Sequence, residues 1–410
     1  MRSLRKLKAQ GSKENEMKKF MTQLTSSGRY CLLAVSLLCA ATGLSSSKKP
    51  ETRLLDMTPT YSLAEQLLND GKIDDGIAML EQIAEANPAD WEALNLIGTI
   101  ETARGKLDEA ESTLMRALDV DPTRPQVFSN LGVVELKRRN WDKALTYFFT
   151  AEKLDPTFVP ALYNIGTLLQ GNENFTQADQ YYTRVIEQDP THLMAHYKRA
   201  AARIGMKKYD AAVSDYKAVL RMDPALTSAR ADLGFTYFSM AKYVDAELQF
   251  KQVLSESPEF ARGWYGLGIS QREMEHYSDA VISFKKAVAL EGSADNYHVD
   301  LALALLAVGQ VDEAAGHMEK AILLGPKNGR TIYMAAVFYD DAQRPLKAIP
   351  LYEQSIALSY QVQKSKLYLA ENYIKSGDPQ PAKSVLKELI SETPSGSEIH
   401  DAAVQYLQKI

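Results

Sequence analysis

Pro88, Pro122, Pro156, Pro190, Pro224 and Pro258 lie 34 residues apart, and the same register passes Gly292, reaches Pro326, passes Tyr360 and ends at Pro394. A globular core has no reason to repeat at a fixed spacing, whereas a stack of equal supersecondary units must. Asn87, Asp121, Asp155, Asp189 and Asp223 each precede one of these prolines. Each pair therefore marks a helix end, because proline lacks the N–H that would extend the ladder and turns its predecessor away from the α region. A chain of 410 residues would otherwise suggest roughly two or three globular domains. Stacked repeats remove that inference, since their length is open-ended.

Units that end two residues after each marker number ten and span Met57 to Gly396. Position 8 is small in all of them: Ala64, Gly98, Gly132, Gly166, Ala200, Gly234, Gly268, Ala302, Ala336 and Ala370. Position 20 is Gly76 and then alanine throughout, from Ala110 and Ala144 to Ala348 and Ala382. Small residues at fixed places on two successive helices let the backbones come close, so each unit reads as an antiparallel helical hairpin. Position 24 is large (Leu80, Leu114, Phe148, Tyr182, Tyr216, Phe250, Phe284, Met318, Tyr352, Leu386) and fills the space between hairpins. Gly71, Gly105, Gly309 and Gly377 at position 15 let the chain leave the first helix and turn.

This combination resembles the tetratricopeptide repeat family, with small residues at 8 and 20, an aromatic at 24 and a proline at 32. The resemblance covers 340 of the 410 residues and is weakest over Ser293 to Lys327 and Asp341 to Gln361, through Gly292, Ser355 and Tyr360. It implies an all-α fold, an α-solenoid wound as a right-handed superhelix, with first helices lining a concave face and second helices a convex one. Residues 397–410 follow with Ser397 as N-cap and Ile399, Ala402, Ala403, Tyr406 and Leu407 at helical spacing, the pattern of a capping helix that shields the last repeat. Pro350 falls inside the second helix of the ninth unit, where a kink or a late helix start is expected.

The N-terminus has a different composition. Residues 1–43 hold eight Lys/Arg against Glu14 and Glu16, and the uncharged run Tyr30 to Leu44 follows Lys18, Lys19 and Arg29. This is the layout of a signal peptide, with cleavage after Ala41 or Gly43 and Met17 as a better initiator than Met1. The alternative is an uncleaved membrane anchor over residues 30–47, although fifteen apolar residues are short for the roughly 20 that a spanning helix needs. Residues 44–56 read as a polar linker. The expected location is accordingly exported, in the periplasm or cell envelope.

Beyond residue 43 there are 39 basic and 50 acidic side chains, a net of −11. A body of that sign has no general attraction for phosphate backbones, so nucleic acid is not an expected partner. Both cysteines, Cys31 and Cys39, lie in the apolar run, which leaves the repeats without a disulfide, a cysteine nucleophile or a thiolate ligand. No phosphate-cradling loop, nucleophile elbow or metal-binding H-E-x-x-H occurs, and repeats, leader and cap leave no room for a catalytic domain. The chain reads as non-enzymatic, with no cofactor and no metal. His192 and His196 are spaced i, i+4 but lack a third ligand, and His196 and His298 share position 4, a packing site.

If first helices line a groove, positions 2, 5, 6, 9, 12 and 13 face it. Position 5 carries Tyr163, Tyr197, Tyr265 and Tyr333, flat rings that suit a binding surface or packing against the next first helix. Position 6 supplies Asn130 and Asn164, amides able to hold a peptide backbone, before giving way to Lys198 and Asp232. The carboxylate clamp of the family's cytosolic co-chaperones is not reproduced. Lys198, Arg199 and Arg203, then Arg262 and Arg272, then Asp340 and Asp341 change the charge along the face. Together these point to a protein partner, a peptide or helical segment, bound by an interaction scaffold of the bacterial envelope in a secretion, pilus or wall-building assembly. The alternative is a periplasmic chaperone or carrier for extended clients.

Overall fold

The computed structural model describes residues 60–410, so the leader, the linker and the start of the first unit lie outside the described residues. Among the described residues there are 21 helices and no strand. The chain divides after Met206 into two compact units. In the first run α1 (Tyr61–Asn69), α2 (Ile73–Ala86), α3 (Trp91–Arg104), α4 (Leu107–Val120), α5 (Pro125–Lys137), α6 (Trp141–Leu154), α7 (Val159–Gly171), α8 (Phe175–Gln188) and α9 (Leu193–Gly205). The second holds α10 (Tyr209–Met222), α11 (Thr227–Ser239), α12 (Tyr243–Glu256), α13 (Ala261–Glu273), α14 (Tyr277–Leu290) and α15 (Asp295–Ala307). It continues with α16 (Val311–Leu324), α17 (Gly329–Asp341), α18 (Pro345–Ala357), α19 (Val362–Lys375), α20 (Pro379–Glu392) and α21 (Glu398–Gln408). Odd-numbered helices up to α19 are the first members of the ten pairs, and every second member begins at position 17 of its unit.

The small columns work by receiving the large one. A β-carbon on Gly132 would sit 2.5 Å from the Phe148 ring, and one on Gly268 would sit 2.7 Å from Phe284. In the second hairpin a β-carbon on Gly98 would meet Leu114 at 2.5 Å and the Ala110 carbonyl at 3.3 Å, which brings positions 8, 20 and 24 to one contact. The knob also reaches onward, for a β-carbon on Gly266 of α13 would lie 2.3 Å from Phe250 of α12. Leu114, Phe148, Tyr182, Phe250, Phe284 and Met318 are completely buried, as are the position-20 alanines from Ala110 to Ala382. Each hairpin thus hides its apolar side only with the help of the next, as stacked repeats require.

The turns obey one backbone rule that four glycines only hint at. Position 15 has positive φ in every unit: Gly71, Gly105, Gly309 and Gly377 at 77° to 85°, and Arg139, Glu173, Lys207, Ala241, Glu275 and Gln343 at 55° to 65°. A side chain in that conformation costs roughly 1–2 kcal/mol, which the flanking helices outweigh. At the unit ends, the residue before proline folds its side chain back onto the turn. Asp121, Asp155 and Asp189 accept the backbone N–H of Thr123, Thr157 and Thr191 at 2.9–3.0 Å, and Asp223 accepts that of Ala225 at 3.0 Å. Such Asx turns explain why Asp or Asn recurs there.

Of the two outcomes expected at Pro350, the late helix start does not occur. Helix α18 starts at Pro345, in register with the other second helices, and runs through Pro350 without a late start. Pro350 and Leu346, whose carbonyl it leaves without a partner, both lie on the exposed side, where water can satisfy that group. The departure comes at the exit instead. The helix ends at Ala357, Ser359 and Gln361 take positive φ, and the buried Ser355 hydroxyl donates to the Tyr360 carbonyl at 2.9 Å. Helix α21 closes the second unit, with Ser397 accepting the His400 N–H and Ala403 packed beside Leu386 and Leu389. No helix of the described residues is long and apolar enough to cross a membrane.

Candidate interaction face

Within each unit, the first helices of several neighbouring hairpins touch one another directly. In the first unit the Asn130 amide on α5 donates to Asn95 Oδ1 and Thr99 Oγ1 on α3, at 2.8 and 2.9 Å. Its donors are therefore spent within the scaffold. Asn164, one rung on, is half-buried and engages no side chain among the described residues. Lys198 on α9 is likewise half-buried, with only its backbone carbonyl accepting from Gln170 at 3.4 Å.

The position-5 tyrosines are packing elements that keep an open edge. Tyr163 lies 6.0 Å from the Tyr182 ring and 5.2 Å from His192 at the entrance to α9, and burial pushes its hydroxyl above the usual phenol range. Tyr197 is half-buried on α9. In the second unit Tyr265 stacks on Tyr297 with centroids 4.5 Å apart, and its hydroxyl donates to Asp300 of α15 at 2.7 Å. Tyr333 lies between Tyr352 and Tyr360, at 6.3 and 5.9 Å.

The basic residues singled out from the sequence are mostly committed to acids of neighbouring helices. Arg262 pairs with Asp232 at 2.7 Å and lies over the Phe235 ring, while Arg272 binds Asp300 and Glu273. Arg203 reaches back to Asp179 at 2.7 Å and Arg199 to Thr183 at 3.1 Å. Asp340 receives Lys375 at 2.7 Å, and burial followed by the neighbouring Asp340 raises the carboxyl of Asp341.

Position 4 makes a contact that no sequence motif announced. His196, Arg230, Trp264 and His298 each direct a side-chain nitrogen to the carbonyl of the marker residue six places earlier, Pro190, Pro224, Pro258 and Gly292, at 2.6–3.3 Å. Where position 4 is the apolar Leu162 or Ile332, position 26 takes over, through Arg184 to the Pro156 carbonyl and Gln354 to that of Pro326. Three different side chains share only an N–H donor, so the column looks random until the carbonyl is seen. His192 acts differently, since its Nδ1 accepts the Ala195 N–H at 3.0 Å and caps α9. Among the described residues no group of three or more His, Cys, Asp or Glu is placed to hold a metal.

His298 makes a second contact, its Nδ1 lying 2.9 Å from Nδ1 of His317. The Gly292 carbonyl can only accept, so the His298 proton sits on Nε2 and its bare Nδ1 accepts from His317. Burial, the largest cause in each case, holds both imidazoles below the usual histidine value; Lys320 adds to this for both, while the Gly292 hydrogen bond and Glu313 work against it. Groups whose folded values are depressed leave the unfolded chain binding more protons at acid pH. Stability is then complete above about pH 7 and falls as pH drops through about 6.5 toward the folded values. The urea midpoint of the second unit is expected to fall more between pH 7.5 and 5 in the wild type than in His298→Phe/His317→Leu; equal falls would show the pair to be silent.

Sequence models of the tetratricopeptide repeat match residues 61–125, 103–157, 163–227 and 299–361, more than half of the chain, and a second such model matches residues 364–395. The chain belongs to the tetratricopeptide repeat family. Its helix pairs, knob columns and turns are those of the repeat solenoid, and the architecture is that of a protein–protein interaction scaffold. Solved structures resemble parts of the chain at low identity. They include the C-terminal part of a tetratricopeptide repeat protein from Cytophaga hutchinsonii (17% identity, 59% of this chain and 99% of that one, TM-score 0.47). Another is PilF of Pseudomonas aeruginosa (19% identity, 52% and 96%, TM-score 0.44). A third is YrrB, described as a tetratricopeptide repeat protein with an unusual peptide-binding site (17% identity, 44% and 92%, TM-score 0.41). No curated protein matches the chain.

Proposed function

We propose that this tetratricopeptide repeat protein is a non-enzymatic scaffold of the bacterial cell envelope that holds a segment of a partner protein along its first helices, in a secretion, pilus or wall-building assembly. The envelope part rests on the composition of residues 1–44, basic and then apolar. The observation that carries the binding part is that stacking leaves side chains of the first-helix face unused, Asn164 and Lys198 among them. Hot spots on such faces are few, and unspent amides and cations are the groups a partner backbone or carboxylate can engage at once.

Crosslinking in cells followed by affinity purification of the tagged full-length chain tests the reading. A single dominant stoichiometric partner is expected, from an envelope fraction, with the N-terminus of the mature chain read by sequencing. A broad spread of weakly held clients would replace the scaffold with a carrier. The tyrosines are poor probes because their rings support neighbouring hairpins. Asn164→Ala with Lys198→Ala is the cleaner pair: partner recovery is expected to drop about tenfold with an unchanged circular dichroism spectrum. Undiminished recovery would remove these two residues from the interface.

A further inference from the structure

The five most exposed large apolar side chains of the described residues all lie on the second helices of four successive hairpins in the second unit. They are Val244 and Leu248 on α12, Ile282 on α14, Leu323 on α16 and Leu346 on α18, at 59–80% exposure. They occupy positions 18, 22 and 29, which with position 25 form one outward stripe along a helix. At position 22 the other six repeats hold alanine or a polar residue, from Ala78 and Ser112 to Ser384, whereas repeats six to nine hold Leu248, Ile282, Gly316 and Pro350. Two of these work against their own helices, for an interior glycine costs about 1 kcal/mol and an interior proline about 3 kcal/mol. Nothing in the hairpin asks for the glycine, since a β-carbon on Gly316 would have no heavy atom within 4 Å.

The charges of the stripe are ordered. Position 25 is Lys251, Lys285, Glu319 and Glu353 on α12, α14, α16 and α18 in turn, all exposed. Lys285 reaches Glu313 on α16 at 2.7 Å, and Lys347 on α18 reaches Glu319 at 3.2 Å, so α14, α16 and α18 stand side by side. Exposed pairs of this kind are worth at most about 1 kcal/mol. Lys347 and Tyr339 both meet Oε1 of Glu319, and Tyr373 meets Oε1 of Glu353, which leaves the second oxygen of each acid without a partner among the described residues.

A row reading plus, plus, minus, minus complements itself when turned about its midpoint. We infer that this stripe is the contact of a symmetric homodimer, with the two-fold axis running along the helices between α14 and α16. Such an axis lays α14 on α16 of the second copy, in the same direction and with each position meeting its own number. Lys285 then faces Glu319 of the second copy, Ile282 enters the shallow place left by Gly316, Leu323 covers Ala289, and Ser278 faces Asp312. Further out Leu248 meets Pro350 and Lys251 meets Glu353, with the Leu346 carbonyl at the wet rim. No pair along the stripe sets like charges against each other. Four helices about 20 Å long and about 10 Å wide present roughly 800 Å², the area each partner contributes to a stable interface.

Charge reversal tests the arrangement, because symmetry makes each change count twice. In sedimentation velocity the full-length chain is expected to run as a dimer. K285E alone and E319K alone place like charges at both symmetric contacts and should raise the dissociation constant about a hundredfold. The two variants mixed, or K285E/E319K in one chain, restore opposite charges at both contacts and should recover the dimer. Both side chains are exposed, and an unchanged circular dichroism spectrum shows that the fold is kept. A monomeric wild type, single variants that dimerise like the wild type, or a mixture that stays monomeric overturns the inference. So does an open series of larger species, the mark of a head-to-tail contact. The first helices take no part in this contact, so a partner held along them is a separate result.

Discussion

Phe148→Ala is expected to cost about 3–5 kcal/mol, enough to open the third hairpin locally. The ring is completely buried, and it fills the place where Gly132 presents bare backbone, so truncation leaves a cavity that two helices cannot close. Gly132→Ala attacks the same contact from the other side. Its β-carbon would stand 2.5 Å from the ring, an overpacking worth about 1–3 kcal/mol. The two changes are coupled. Gly132→Ala with Phe148→Leu imitates the Ala370 and Leu386 pair of the last hairpin and should recover most of what Gly132→Ala alone loses. Hydrogen exchange over α5 and α6 reads all three variants; protection that survives Phe148→Ala would mean that the knobs are not what binds one hairpin to the next.

That contact was legible in the sequence because it is written as size. Glycine or alanine at 8 and at 20 and a large side chain at 24 stay in register for ten units, and size at a fixed place has one physical meaning. The position-4 donors were not legible, since histidine, arginine and tryptophan share no size, charge or hydropathy. What unites them is an N–H aimed at a loop carbonyl, and that partner is backbone, which no side-chain column records. The left-handed turn was half legible: four glycines announce it, while Arg139, Glu173 and Ala241 adopt it under pressure from the helices on either side. The face itself was least legible. Asn130, Arg262 and Arg272 looked like free groove residues from their positions, but each is engaged by a neighbouring first helix, and only contacts between repeats reveal which groups remain.

Arg272→Ala is expected to destabilise the second unit by about 3–5 kcal/mol, far more than loss of a surface ion pair, because the acid it serves is buried. Asp300 is only 3% exposed, and without the guanidinium it keeps only the Tyr265 hydroxyl. The cost lies in the stranded charge, not in a lost attraction, and this separates the variants. Arg272→Ala with Asp300→Ala removes both charges and should be more stable than Arg272→Ala alone, though it has lost more atoms. Tyr265→Phe removes one neutral donor to the same carboxylate, which keeps its guanidinium, and should cost only about 1–2 kcal/mol. Urea unfolding followed by hydrogen exchange over α13 and α15 gives the order. If the double variant were instead the least stable of the three, the pair would be contributing net attraction, and the first-helix face would be held together by its charges rather than merely tolerating them.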